Sequence, residues 1–371
     1  MSGELYVGVM SGTSLDGIDI ALVNIDQNRI EFKGSHFMSM PESVAKQLKL
    51  LASNHQTALQ KLGELDHQLG HLYADAVNQL IARSEYSAHD ITAIGCHGQT
   101  IYHSPNGRFP FTMQIGDANI IAAKTGIQTV SDFRRKDMAL GGQGAPLVPA
   151  FHQFLFSAQE STLVILNIGG IANVSVIDTD GTTTGFDTGP GNGILDEWCE
   201  LHTGMPFDKD GMLAREGKVS TALLSEMLTD DYFSKPAPKS TGREYFNLTW
   251  LQSKLQKIDS AIRIEDVQRT LVELTVTSII NALSPFQSDK KATLLVCGGG
   301  VHNPVIMSQL KQSLDSWSVK TTNEYGIDED FMEAMAFAWL AYCRVHHLPA
   351  NLPAVTGAKS ATTLGCIYLP E

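Results

Sequence analysis

Asp187 stands in the word Gly185-Phe186-Asp187-Thr188-Gly189-Pro190-Gly191-Asn192. Glycine and proline shape the backbone there and leave the carboxylate to project from it. A carboxylate so placed can take a proton from water or a hydroxyl, and its charge can face a bound cation. The competing reading is an Asx turn that caps the following helix. Two further words carry glycine between apolar runs. The first is Gly8-Val9-Met10-Ser11-Gly12-Thr13-Ser14-Leu15-Asp16-Gly17-Ile18-Asp19, and the second is Asn167-Ile168-Gly169-Gly170-Ile171-Ala172-Asn173. Each reads as strand, tight turn, strand. Glycines let a ligand approach the backbone, and successive N–H groups in such turns make concave anion sites. The first turn alone is equally well explained as an ordinary hairpin turn; the pair points to phosphate binding.

A third glycine word, Gly298-Gly299-Gly300, follows an apolar run. It would let a flat ligand such as adenosine lie against the chain, although a lone triplet also serves close strand–helix packing. The phosphate and nucleoside readings together predict an ATP-using enzyme. ATP contacts are expected from Gly12, Thr13, Ser14, Leu15, Asp16, Gly17, Ile18, Asp19, Asn167, Gly169 and Gly170, with Gly298, Gly299 and Gly300 at the nucleoside. Candidate substrate groups lie elsewhere. Arg134 and Arg135, beside a glycine-rich loop over 134–146, suit an anion, since guanidinium forks match carboxylates and phosphates. His97 and Gln99 could donate hydrogen bonds to a sugar, with a satisfied core histidine the rival reading of His97. Glu333, the lone acid among Phe331, Met332, Ala334, Met335 and Ala336, either faces substrate hydroxyls in a cleft or is simply an exposed position, and its apolar neighbours favour the cleft.

The elements that must position these residues follow the same plan twice. Strands are expected at each hairpin and at 30–38, two helices over 41–83, and a buried strand from 91 running into a polar turn at 97–100. An extended stretch from 111 turns helical by 123, and a short strand is expected at 127–133. In the second half, 184–196 reads as a turn opening a helix and 232–246 as an exposed loop. A long amphipathic helix is expected over 264–283, then strand, glycine turn and helix start over 293–303, and an Ala-rich helix over 328–346. A chain of 371 residues exceeds one ordinary core. The division expected is 1–155 with the first loop and part of the sugar site, and 156–371 with the second loop, Asp187 and the adenosine word. The last segment is left open to pack back on the first domain.

Net charge is −13, with 43% hydrophobic and 18% charged residues. That balance argues for a globular protein and against a nucleic-acid or anionic-membrane partner. The five cysteines, Cys96, Cys199, Cys297, Cys343 and Cys366, are widely spaced and form no CxxC pair. They are read as buried reduced thiols. A strand begins almost at the N-terminus and no apolar run reaches the length of a membrane span, so a cytoplasmic location is expected.

In this order the motifs resemble the sugar-kinase, Hsp70 and actin superfamily. Its duplicated two-domain α/β fold has an ATP cleft between the domains and one phosphate loop per half. The words at 8–19, 96–100 (Cys96-His97-Gly98-Gln99-Thr100), 143–149 (Gln143-Gly144-Ala145-Pro146-Leu147-Val148-Pro149), 167–173 and 186–192 resemble, within it, the anhydro-N-acetylmuramic acid kinase family. That resemblance implies a cytoplasmic step of peptidoglycan recycling, in which ATP and water convert 1,6-anhydro-N-acetylmuramic acid to N-acetylmuramic acid 6-phosphate and ADP. It implies ATP binding at Gly12 to Asp19 and Asp187 as the base that activates water. Arg134 or Arg135 would meet the lactyl carboxylate, and Glu333 the sugar hydroxyls. A small anhydro-sugar is the partner, and a homodimer is allowed. One departure is visible: the superfamily's loop acids are replaced by Met10 and Asn167. Mg²⁺ then falls to Asp16 and Asp187, directly or through water. Two rival functions are another small-molecule sugar kinase and an Hsp70- or actin-like switch. Sugar-dependent ADP release separates them from the first reading.

Overall fold

The computed structural model describes residues 3–12, 15–156, 161–286 and 292–371. The chain opens with three strands, β1 (Glu4–Met10), β2 (Gly17–Ile25) and β3 (Ile30–Ser39), paired antiparallel as a meander. Two helices follow, Glu42–Asn54 and Leu59–Arg83. The second buries Leu65, Leu69, Tyr73, Val77 and Leu80, a spacing that keeps one apolar stripe on one face. That stripe packs in a core with Val7, Val9, Ile18, Ile20 and Leu22 of the sheet. Next come β4 (Ile91–Cys96), the separate β5–β6 hairpin (Gln99–Ser104 and Phe111–Ile115) and β7 (Thr129–Ser131). β4 lies parallel to β1 and β7 parallel to β4.

The plan then repeats. β8 (Leu163–Ile168), β9 (Ile171–Ile177) and β10 (Thr183–Pro190) form an antiparallel meander, and β11 (Thr293–Cys297) and β12 (Ser318–Thr321) add to it in parallel. The order β3-β2-β1-β4-β7 in one sheet matches β10-β9-β8-β11-β12 in the other. The chain thus carries the same α/β strand order twice, the duplication expected from its sequence. The long helix Ile264–Leu283 falls where its apolar period requires, with Leu271, Leu274 and Ile279 buried among Val164, Leu166, Val174 and Val176.

The chain finally turns back to its first sheet. β13 (Cys366–Tyr368) pairs antiparallel with β7. The helix Met332–Val345 is buried from Ala334 through Cys343 and packs on β1, β2 and β4. Its alanines allow that approach, and so do two glycines opposite: a Cβ on Gly8 would fall onto the Ala334 carbonyl, and one on Gly95 onto that of Phe337. The compact units are therefore Met1–Ser157 with Phe331–Glu371, and Ala158–Asp330. This division differs from 1–155 and 156–371: all of 331–371 clusters with the first unit, because an Ala-rich helix fits a sheet face that only glycine leaves open.

Three local expectations are corrected. Residues 183–190 are a strand, because pairing with β9 outweighs their glycine and proline, and a bulge between Asp187 and Gly189 absorbs the irregularity. The glycine-rich stretch from 134 holds a short helix, Arg135–Ala139, with Asp137 and Met138 buried. Cys96, Cys199, Cys297 and Cys343 are buried, but Cys366 is exposed on the edge strand.

Candidate functional site

In the first unit β4 ends at Cys96 and delivers His97 directly into a buried position. Its ring lies 4.7 Å from that of Phe337. The Arg134 guanidinium donates to His97 Nε2 through Nε at 3.1 Å and Nη2 at 2.8 Å, and to the Gly144 carbonyl through Nη1 at 2.8 Å. An arginine cannot accept, so Nε2 is the lone-pair nitrogen and the proton sits on Nδ1. Burial and the neighbouring guanidinium hold the imidazole far below its usual pKa, so it stays neutral. Nδ1 is buried with no partner among the described residues.

Burial also lowers Arg134, to about 10, against the pull of Glu333 and Asp137. Glu333, in the first turn of Met332–Val345, is raised by burial and lowered by Arg134. The structure thus brings His97, Arg134 and Glu333 together. Arg135 goes elsewhere: it pairs with Asp132 at 2.7 Å with two thirds of its side chain exposed. Asp137, unremarked in the sequence, is fully buried. Its Oδ2 accepts from the Gly144 N–H, and its Oδ1 from Asn351 Nδ2 and Thr356 Oγ1, at 2.7 to 2.8 Å. These bonds tie the glycine-rich loop to the chain's last segment.

Gln99 is buried and turned toward the first glycine turn. Its Oε1 accepts from Ser11 Oγ at 2.7 Å and its Nε2 donates to the Gly12 carbonyl at 3.3 Å. Both ends of its amide are therefore engaged by protein, which makes it a support of the turn rather than the sugar contact expected from sequence. Asp16 is exposed and receives the Gly17 N–H at 3.0 Å, while its carbonyl receives Met40 N–H. Leu15 has φ 59°, Gly17 and Ile18 begin β2, and Asp19 lies opposite Met10. Thr13 and Ser14 lie outside the described residues.

In the second unit the two glycine words meet. Asn167 ends β8 beside Cys297, and a Cβ on Gly300 would collide with Ile168. Gly298, at φ 77°, donates its N–H to the Glu329 carbonyl at 2.9 Å, and Gly299 opens a 3₁₀ turn to His302. Gly169 and Gly170 turn toward the helix Asn192–Thr203: their carbonyls accept the N–H groups of Gly191, Asn192 and Gly193 at 2.7 to 3.1 Å.

Asp187 lies opposite Asn173 in β10. Its Oδ2 accepts the Thr241 N–H at 2.9 Å, its own N–H reaches the Lys239 carbonyl, and its carbonyl accepts from Tyr232 Oη. No hydrogen bond among the described residues reaches Oδ1. Burial pushes the carboxyl up to about 7, with Glu244 adding and the Thr241 bond opposing. The stretch holding it, 232–246, reads as an exposed loop in sequence because its lysines, prolines and serines hide that it wraps one acid. Arg243 in that stretch also went unremarked. It pairs with Glu197 at 3.3 Å.

Among the described residues no three His, Cys, Asp or Glu side chains gather as a metal cage. No helix among the described residues is long and apolar enough to cross a membrane.

Comparison with known proteins shows the family of the chain. The model of the family described as anhydro-N-acetylmuramic acid kinase matches residues 4–370. The anhydro-N-acetylmuramic acid kinase of Mannheimia succiniciproducens is 55% identical over 99% of this chain and 100% of its own length. That of Vibrio cholerae is 55% identical over 99% of both chains, and that of Haemophilus influenzae 55% identical over 99% of this chain and 98% of its own. Matched from its first strand to its last residues, and sharing more than half its residues with each of these relatives, the chain belongs to the anhydro-N-acetylmuramic acid kinase family.

Proposed function

We propose that this kinase opens the 1,6-anhydro ring of 1,6-anhydro-N-acetylmuramic acid and phosphorylates O6 with ATP, with Asp187 as the base. The carrying observation is the Asp187 carboxyl: one oxygen is pinned by the Thr241 N–H, the other has no hydrogen bond among the described residues, and burial sets it to about 7. A general base works best with a pKa near the operating pH and one lone pair aimed outward. Water loses a proton to Asp187 Oδ1 as its oxygen bonds to the anomeric carbon. The C1–O6 bond breaks, O6 takes the terminal phosphoryl group, and the bond from that phosphorus to the β-phosphate oxygen breaks to leave ADP. Such transfer rests on positioning and charge neutralisation.

The neutral His97, with its Nδ1 proton facing no described partner, and the buried Arg134 and Glu333, which influence one another electrostatically, fit an acidic, hydroxyl-rich sugar. Arg134, rather than the surface-paired Arg135, takes the lactyl carboxylate, and Glu333 accepts from hydroxyls. The glycine turns, of which the first is braced by Gln99, are the proposed phosphate contacts. Mg²⁺, when bound, neutralises phosphate charge. Asp16 and Asp187, directly or through water, are the residues that would hold it. The setting is a cytoplasmic step of peptidoglycan recycling.

The test is ADP release with Mg²⁺-ATP, with and without the anhydro-sugar, for the native protein and Asp187→Asn. Sugar-dependent turnover that collapses in the variant, with ATP still bound, is expected. Turnover that survives the substitution moves the base elsewhere, and release that ignores the sugar sinks the reading.

A further inference from the structure

The second glycine turn has a problem of charge. Phosphate sites commonly draw on a helix N-terminus. Here the first N–H groups of Asn192–Thr203 are already taken, because Gly191 and Gly193 donate to the Gly170 carbonyl and Asn192 to that of Gly169. The neighbouring side chains are acidic: Glu197 lies on that helix, and Asp187 and Glu244 lie beside the turn's partner strand. A polyphosphate held at this turn needs a cation from another element.

One is present. A Cβ on Gly170 would lie 3.1 Å from Arg243 Cδ, and one on Gly193 would lie 3.0 Å from Arg243 Nε. The Arg243 side chain therefore runs across the turn and the start of the helix, and it fits because both positions are glycine. Its Nη2 lies 3.3 Å from Glu197 Oε1, and the pair is about a quarter and a fifth exposed. Glu197 Oε2 in turn accepts the Leu248 N–H at 3.3 Å, and Asn247 Nδ2 donates to the Arg243 carbonyl. Both ends of the arginine are thus held. The two lysines of the stretch turn to Tyr232 instead: Lys239 donates to the carbonyls of Tyr232 and Phe233 and lies 4.8 Å from the Tyr232 ring centre, and Lys235 lies 5.8 Å from it.

We infer that Arg243 is the cationic contact for the outer phosphates of ATP at the second glycine turn, with Glu197 as its positioning residue; this rests on the ATP reading above. A guanidinium presents a planar fork that matches two phosphate oxygens at once, and a carboxylate behind it fixes the plane.

The experiment is calorimetric binding of ATP and AMP, with Mg²⁺, to native protein, Arg243→Ala, Arg243→Lys and Glu197→Gln, beside thermal unfolding of each. The expected result is an ATP affinity at least tenfold weaker in Arg243→Ala with AMP affinity within twofold of native. Arg243→Lys, which keeps the charge and most of the packing stem, falls between, and Glu197→Gln weakens ATP severalfold. ATP binding within twofold of native in both Arg243 variants overturns the inference alone. So does an equal loss of ATP and AMP, which marks a structural role. Native protein that binds neither nucleotide overturns the ATP reading, and this inference with it.

Discussion

Asp187→Asn is the most discriminating perturbation, because the same carboxyl governs rate and stability. Its pKa lies at about 7 in the fold against 3.8 for the free group. The native state therefore binds this proton more tightly than the unfolded chain does. By linkage, the stability tied to the neutral form is fully present below 3.8 and is lost as pH rises through about 7. A rise of that size corresponds to about 4 kcal/mol at full burial. The side chain is only partly buried, and solvent screening reduces this to about 2 kcal/mol. The amide introduced by the substitution would still accept the Thr241 N–H while carrying no charge. Urea unfolding should then show the variant more stable than native by about 2 kcal/mol at pH 8, with the gap closing toward pH 5. Over the same range kcat/KM of the native enzyme should fall about tenfold per unit below pH 7, as the base becomes protonated. Stability curves that run parallel from pH 5 to 8, or a rate flat across that range, would refute the assignment of a buried base at this position.

Glu333→Gln removes a carboxyl whose ionisation burial opposes, so unfolding should show no loss of stability near pH 7. Its sugar KM should still rise about tenfold, the worth of one good hydrogen bond to a charged group. Arg134→Ala strips His97 Nε2 and the Gly144 carbonyl of their donor and removes the cation that favours the ionised form of Glu333. A loss of about 3 kcal/mol in urea unfolding is expected. Gln99→Ala frees Ser11 and the Gly12 carbonyl, for about 1 to 2 kcal/mol. In steady-state kinetics it should raise the KM for ATP and leave that for the sugar within twofold; the reverse pattern would return Gln99 to the sugar.

Periodicity made the hairpins and long helices legible, because strand alternation and the stripe of Leu59–Arg83 are properties of the chain alone. Candidate residues could be picked out where one residue type has few uses, and Asp187, Arg134 and Glu333 prove to be at least partly buried polar groups with shifted pKa values. Reading by residue type failed where a role depends on a partner far away in sequence. Asp137 gains its meaning from Asn351 and Thr356, and Gln99 from Ser11 and Gly12. Arg134 and Arg135 are adjacent and chemically alike. Only the fold decides that one faces His97 and the other Asp132. The 232–246 stretch was misjudged for the same reason: its surface-like composition conceals a backbone that meets Asp187 at Lys239 and Thr241.

The duplicated topology explains how the two halves diverged. In each sheet one row of three paired residues lies at the glycine turn. In the first unit that row is Met10, Asp19 and Phe37; in the second it is Asn167, Asn173 and Asp187. Equivalent strands thus carry thioether, acid and ring in one half and two amides and an acid in the other. The ends of the fourth strands differ in the same way. β4 runs into His97, whose ring is held by Arg134, while β11 runs into Gly298, whose left-handed turn packs on Asn167 and Ile168. Strand ends of a parallel pair are where such sheets bind ligands, and the candidate residues of each half lie at those ends. A side-chain cluster of imidazole, guanidinium and carboxylate suits a sugar acid with many polar edges. A bare backbone surface suits a flat base and a phosphate chain. Asp187, proposed as the base, lies on the outer strand of the sheet whose glycine words are proposed to hold phosphates, an arrangement that would couple water's attack to phosphoryl transfer in one step.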